Sequence, residues 1–276
     1  MQRLLTAALT VPVALAAVFY LPSVWFFILV AVVIGWASAE FVRITRCWAS
    51  GAPVEAVLAL VPLAAVLLAG FLPISGGPAG RQLELFGAAL LLSVGVGSLV
   101  LLAKTPLPEI FPALAVFSFG IPYFALPIAS LYRIHRIGPW WLFLLLAIVW
   151  LGDTAAYYFG SHFGRHKMAQ TVSPNKSWEG AAAALATAVV ATLVWSLWKL
   201  GGVDGRLLLV GGATSLAAQV GDLVESMIKR AAGLKDSGNL LPGHGGMYDR
   251  MDALLFAAPV FLVGIWLTGV WQRPVG

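Results

Sequence analysis

Cysteine and charge are what this sequence lacks. Cys47 is the only thiol in 276 residues, so an intrachain disulfide and a cysteine metal cluster are both excluded. Charged residues make up 11% of the chain, against about 25% in an average soluble domain. That is too little polar surface to cover a water-soluble globule. With 60% hydrophobic residues and a mean hydropathy of +0.91, the composition implies one multi-span membrane body that takes the lipid bilayer as its solvent. The excess of 17 basic over 12 acidic residues is spread over many connecting segments. It forms no nucleic-acid-binding run, so no nucleic acid partner is expected. The basic residues read as topology signals and as contacts to anionic lipid or phosphate.

What is present is a series of apolar runs, each of about 20 residues and so able to cross a bilayer. Nine are expected, near 4–20, 22–39, 53–72, 84–103, 110–131, 139–159, 178–198, 206–228 and 253–271. The expected fold is all-α, a polytopic membrane protein of nine transmembrane helices. The first run, with Arg3 before it and Ala14-Leu15-Ala16 inside it, imitates a signal peptide. A second apolar run follows at once, so the first is read as a retained helix. Placing the N-terminus in the cytoplasm puts eleven of the 17 basic residues on the inner side, the sense of the positive-inside rule. Segments 160–177 and 229–252 then face the cytoplasm, where nucleotides are found.

The acids divide the chain. Glu40, Glu55, Glu84, Glu109 and Asp204 fall at span ends or in loops and read as solvated end charges. Asp153, Glu179, Asp222, Glu225, Asp236, Asp249 and Asp252 lie in or beside later apolar spans. An ionisable group at membrane depth is costly and needs a partner or a job. Residues 1–150 therefore read as transmembrane scaffold and residues 151–276 as the catalytic region.

Three constellations carry the chemistry. In GDLVESMIKR, residues 221–230, Asp222 and Glu225 are three apart and share a helical face, with Lys229 four residues beyond Glu225. In PGHGGMYDRMD, residues 242–252, Asp249 and Asp252 repeat that spacing. Carboxylate-only ligands suit Mg²⁺ or a similar hard ion rather than zinc, and no second histidine stands at metal spacing from His244. Gly243, Gly245 and Gly246 permit positive φ and let backbone N–H groups approach an anion ahead of a helix N-terminus. Lys229, Arg230, Lys235 and Arg250 could grip phosphate. His244 reads as a base, a phosphate donor or a plain loop residue. In the third stretch, residues 152–180, Asp153 lies within a span, a cationic loop contains Arg165, His166, Lys167 and Lys176, and Ser173-Pro174 looks like a helix N-cap followed by proline at the first helical position. Together these imply phosphoryl or nucleotidyl transfer to a phosphorylated lipid, with catalysis by positioning and charge neutralisation.

The motifs resemble a known family. Ser226-Met227-Ile228-Lys229-Arg230, then Lys235-Asp236-Ser237-Gly238, then Leu241-Pro242-Gly243-His244-Gly245-Gly246-Met247-Tyr248-Asp249-Arg250-Met251-Asp252 resembles the long polar motif of phosphatidate cytidylyltransferases (CDP-diacylglycerol synthases). Ser173-Pro174-Asn175-Lys176-Ser177-Trp178-Glu179-Gly180 also resembles a family motif, with Ser177 where threonine is usual. The resemblance covers residues 150–255; the earlier part matches only as a generic multi-span region. It implies that CTP and phosphatidic acid give CDP-diacylglycerol and pyrophosphate. It implies dependence on Mg²⁺, a second cation such as K⁺, a homodimer, and a multi-pass place in the bacterial inner membrane. Asp222 and Asp249 would be metal ligands, with Glu225 and Asp252 supporting them or serving the second cation. Catalytic roles fall to Asp222, Asp249, Lys229 and Asp252. Substrate would be held by Lys176, Ser173, Arg230, Lys235, His244, Gly245, Gly246 and Arg250. Two other readings fit the bare pattern: a CTP-dependent lipid-alcohol kinase, and an ion-coupled transporter whose acids line a path.

Overall fold

The computed structural model describes residues 2–71, 88, 91–92, 95–101, 105–238 and 245–273. The chain is built from helices: α1 (Gln2–Tyr20), α2 (Ser23–Thr45), α3 (Ala56–Phe71), α4 (Ile110–Ile137), α5 (Pro139–Phe163), α6 (Trp178–Leu200), α7 (Gly205–Ala231) and α8 (Tyr248–Thr268). Residues 95–101 are also helical. The run expected at 84–103 otherwise lies mostly outside the described residues. Among the described residues, six segments are long and apolar enough to cross a membrane: α2, Leu107–Ile137, α5, α6, α7 and α8. Val11–Tyr20 and Ala56–Gly70 are shorter apolar helices. Helices are what an apolar solvent permits, because each backbone N–H and C=O must be paired within the segment. Prolines 12, 62, 122, 127 and 259 are tolerated inside them.

Segment 160–177 is more ordered than a loop. Helix α5 runs through Phe163, and strands β1 (Lys167–Ala169) and β2 (Ser173–Ser177) then pair antiparallel, Lys167 opposite Ser177 and Ala169 opposite Ser173, with an irregularity between. This corrects the expected N-cap. Ser173 lies in extended backbone at the far end of the hairpin, and Pro174 follows it in an edge strand, where a missing N–H is harmless. The cap of α6 is Ser177, whose Oγ accepts the Gly180 amide at 3.2 Å.

The chain forms two compact, discontinuous units. The first comprises Met1–Ala8, Leu21–Arg133 and Ile228–Met251. Its core is an aromatic cluster of Phe41, Phe119, Tyr123, Phe124 and Tyr248, with ring centroids 4.6–6.3 Å apart. Tyr248 is fully buried and its hydroxyl donates to that of Tyr123 at 3.2 Å, which fixes the start of α8 against α2 and α4.

The second unit comprises Leu9–Tyr20, Ile134–Met227 and Asp252–Gly276. Its helices approach through small residues. A Cβ on Gly180 would lie 2.8 Å from the Ala156 carbonyl oxygen and 3.2 Å from the Gly160 Cα, so α5 and α6 touch backbone to backbone there. Small residues serve this purpose where lipid removes any hydrophobic drive for helices to associate. At the other end of α6, the Lys199 ammonium lies 3.6 Å from the Trp140 ring centroid and 4.2 Å from that of Trp198, a cation–π contact suited to a membrane interface.

Candidate active site

In the second unit, α7 and α8 converge where a side chain is missing. A Cβ on Gly221 would stand 2.5 Å from the Asp252 carbonyl oxygen and 3.2 Å from the Phe256 Cβ. The residue after this glycine is Asp222, and one helical turn further is Glu225. The approach brings three carboxylates together: one oxygen from each of Asp222, Glu225 and Asp252, all within 4.8 Å of one another. Glu225 is buried, and the other two are half-buried. Like charges at this spacing, within spanning helices, are unfavourable unless a cation stands among them. Oxygen-only donors on two helices match a hard divalent metal such as Mg²⁺.

The hairpin delivers a cation to the same place. Lys176, from β2, pairs with Asp222 at 2.7 Å. The entry to the hairpin is tied to α6 by Glu179 in that helix's first turn, which accepts the His166 amide at 3.2 Å and faces His166 Nδ1 at 2.6 Å. Asp153 on α5 feels the charges of both Asp222 and Lys176. Ser173 is half-buried at the start of β2.

The first unit holds the remaining motif residues. Asp249, one turn before Asp252 on α8, accepts hydrogen bonds from the Lys229 ammonium, the Ser237 amide (3.0 Å), the Ser237 hydroxyl (2.9 Å) and the Gly246 amide (2.7 Å). Lys229 is buried. Gly245 has φ +71°, and a Cβ there would collide with the Asp249 carboxylate, so glycine is required on both counts. Arg230 is exposed and donates to the Leu234 carbonyl at 3.1 Å. Lys235 and Arg250 are exposed. His244 and Gly243 lie outside the described residues.

Two acids behave differently from expectation. Glu40 is not a solvated end charge. It is 2% exposed, and its carboxylate accepts the Ser237 hydroxyl at 2.7 Å and the amides of Met247 (3.1 Å) and Tyr248 (2.9 Å). It caps α8 from the far side of the sequence. The available signal was its solitude: Glu40 is the one acid in the 23 residues of α2. Asp204 is also buried. It caps α7 through the amides of Arg206 and Leu207 and pairs with Arg206 and Arg273. Burial pushes its carboxyl up, but the two amides and the two guanidinium groups outweigh that and hold it below the usual carboxylate range. Glu55 and Glu109 do sit in exposed contacts, Glu55 with Arg46 and Glu109 with Ser50 and the Gly51 amide.

The chain is similar to known proteins over most of its length. Residues 1–268 match the cytidylyltransferase family. A phosphatidate cytidylyltransferase of Pseudomonas aeruginosa is 34% identical over 99% of both chains. One from Haemophilus influenzae is 38% identical over 64% of each chain, and one from Mycobacterium bovis is 41% identical over 47% of this chain and 41% of its own. The family matches nearly from end to end and a relative aligns over its full length, so the chain belongs to the cytidylyltransferase family.

Proposed function

We propose that the protein transfers the cytidylyl group of CTP to phosphatidic acid, giving CDP-diacylglycerol and pyrophosphate for phospholipid synthesis. The observation that carries this reading is the convergence of Asp222, Glu225 and Asp252 with Lys176 already paired to Asp222, in a chain of the cytidylyltransferase family. An oxygen of the lipid phosphate attacks the α-phosphorus of CTP. The bond from that phosphorus to the bridging oxygen of the β-phosphate breaks, and pyrophosphate leaves. The second pKa of a phosphate monoester lies near 6, so the nucleophile is already an anion at neutral pH and no general base is required.

Binding and charge neutralisation are the protein's work. Asp222, Glu225 and Asp252 fit Mg²⁺, which when bound supplies positive charge to the triphosphate and orients it for in-line displacement. The resemblance adds Asp249 as a further ligand and a second cation such as K⁺. Lys176 and Lys229 hold substrate phosphates by charge, and Arg230, Lys235 and Arg250 draw anions toward them. Ser173, His244, Gly245 and Gly246 complete the substrate contacts that the motif implies. The chemistry is assigned to residues 151–276, facing the cytoplasm in the bacterial inner membrane, in a homodimer.

The test is purified protein in detergent with phosphatidic acid, Mg²⁺ and CTP labelled at the α-phosphorus. Label is expected in a lipid product, with stoichiometric pyrophosphate, both lost on chelation. Label appearing in soluble CDP would replace this reading with lipid-alcohol kinase chemistry. A folded sample with no reaction would favour the transporter reading.

A further inference from the structure

Three donors converge on the Glu40 carboxylate: the Ser237 hydroxyl and the amides of Met247 and Tyr248. Two of them come from the start of α8, Tyr248 as its first residue and Met247 just before it, where the leading amides of a helix lack intrahelical partners. The third comes from the opposite end of the 238–245 segment. The two flanks also close on Glu40 sterically. A Cβ on Gly238 would lie 2.9 Å from its Oε1, and one on Gly246 would collide with its Oε2. Glu40 thus clamps both ends of the glycine-rich segment.

The clamp reaches the metal-binding motif through one proton. The Ser237 hydroxyl lies 2.7 Å from Glu40 Oε2 and 2.9 Å from Asp249 Oδ2. It has a single hydrogen to donate. Whichever way that hydrogen turns, the hydroxyl joins the two carboxylates, while the Ser237 and Gly246 amides hold the Asp249 carboxylate in place. Glutamine at position 40 keeps one acceptor oxygen where the carboxylate has two, so its NH₂ would face at least one of the three donors.

We propose that Glu40 is a positioning residue for the transfer reaction, which holds Ser237, Met247 and Tyr248 in place and, through Ser237, sets the orientation of Asp249. The activity part of this inference rests on the reading above; the structural part does not.

The experiment compares full-length wild type, Glu40→Gln, Ser237→Ala and the double variant in detergent. Two readouts are taken: amide hydrogen exchange of the peptide spanning 245–250, and kcat and KM for CTP and phosphatidic acid. Glu40→Gln is expected to speed exchange at Met247 and Tyr248 while leaving α5 and α6 protected. Its kcat should fall roughly 10- to 100-fold with KM for the lipid nearly unchanged, the pattern of a group that matters in the transition state. The double variant should be about as slow as Glu40→Gln alone, since coupled residues are not additive. Unaltered exchange at 247–248 would overturn the clamp. Unaltered kcat, or an effect that simply adds to that of Ser237→Ala, would overturn its action through Asp249. Should Glu40→Gln fail to fold, Ser237→Ala decides, because it leaves Glu40 in place and cuts the link: unchanged kcat there also overturns the proposal. Wild type that makes no CDP-lipid would sink the functional reading, while the exchange data would still judge the clamp.

Discussion

Asp249→Asn is the sharpest perturbation of the motif. The carboxylate takes four donors among the described contacts. Three of them, the Ser237 amide and hydroxyl and the Gly246 amide, converge on Oδ2, while the Lys229 ammonium meets Oδ1. An asparagine oxygen placed at Oδ2 keeps those three. Its NH₂ then points at the ammonium, donor against donor. The side chains of Lys229 and Asp249 are only 11% and 14% exposed, so water relieves little of the conflict. One charge-assisted hydrogen bond is lost, about 1.5–3 kcal/mol, and a nearly buried cation loses this counter-charge, which carries the total toward the roughly 3–5 kcal/mol typical of breaking a buried pair. If about 3 kcal/mol of that is felt in the transition state, kcat falls on the order of 100-fold at 1.36 kcal/mol per decade. The assay is CDP-lipid formation from labelled CTP, read beside thermal unfolding in detergent. Adding Lys229→Met should restore part of the lost stability, because the cation that lost this counter-charge is gone, and none of the activity. An Asp249→Asn enzyme with kcat within about twofold of wild type would refute the role given to this carboxylate.

Other outcomes follow from the same geometry. Asp252→Asn removes one of the three clustered carboxylates, so it should raise the Mg²⁺ concentration for half-maximal activity by about tenfold or more and, with less charge repulsion among the acids, leave thermal stability equal or higher without metal; an unchanged Mg²⁺ midpoint would exclude it as a ligand. Asp204→Asn should leave kcat intact but lower the unfolding temperature, since Asp204 caps α7 and pairs with Arg206 and Arg273. Because its folded pKa is depressed, its contribution is complete above the unfolded value of about 3.9 and is lost as pH falls through the lower folded value; unfolding temperatures of wild type and variant should therefore differ at neutral pH and converge only in strong acid. Gly246→Ala should abolish turnover, since its Cβ would collide with both the Glu40 carboxylate and the Ser237 hydroxyl, whereas alanine at Gly202, where nothing lies within 4 Å, should be tolerated in the same assay.

Local periodicity made the helices legible. A span is a property of some 20 consecutive residues, so the positions of α2 and α4 through α8 could be read directly. The pairing of Asp222 with Glu225 was equally local, a one-turn spacing on one helix. What failed to show was non-local. Ser173-Pro174 has every local mark of a helix start, yet the strand partner across the hairpin decides its backbone, and Ser177 caps instead. Glu40 looks like an end charge until residues 197–208 positions away bring their donors to it. Asp204 takes Arg273 as a partner from 69 positions away (273 − 204). No spacing rule within a window of one or two turns could report either contact.

The acids sort by how well the fold satisfies them, and that separates structure from chemistry. Glu40 and Asp204 are buried and met by several donors each. They cap helices, and their charge is answered within the protein. Asp222, Glu225 and Asp252 are arranged in the opposite sense, brought within 4.8 Å of each other in spanning helices by the bare backbone of Gly221. Lys176 meets Asp222, and the three carboxylates still crowd one another. A sequence selected for stability alone would separate them, since buried like charges cost several kcal/mol. Such a local conflict persists where function requires it, and the cation proposed above would relieve this one. Asp249 stands between the two classes. It is met by several donors like a structural acid, yet it stands one turn before Asp252 on α8, and its link through Ser237 to Glu40 would fix the orientation of the ligand proposed there.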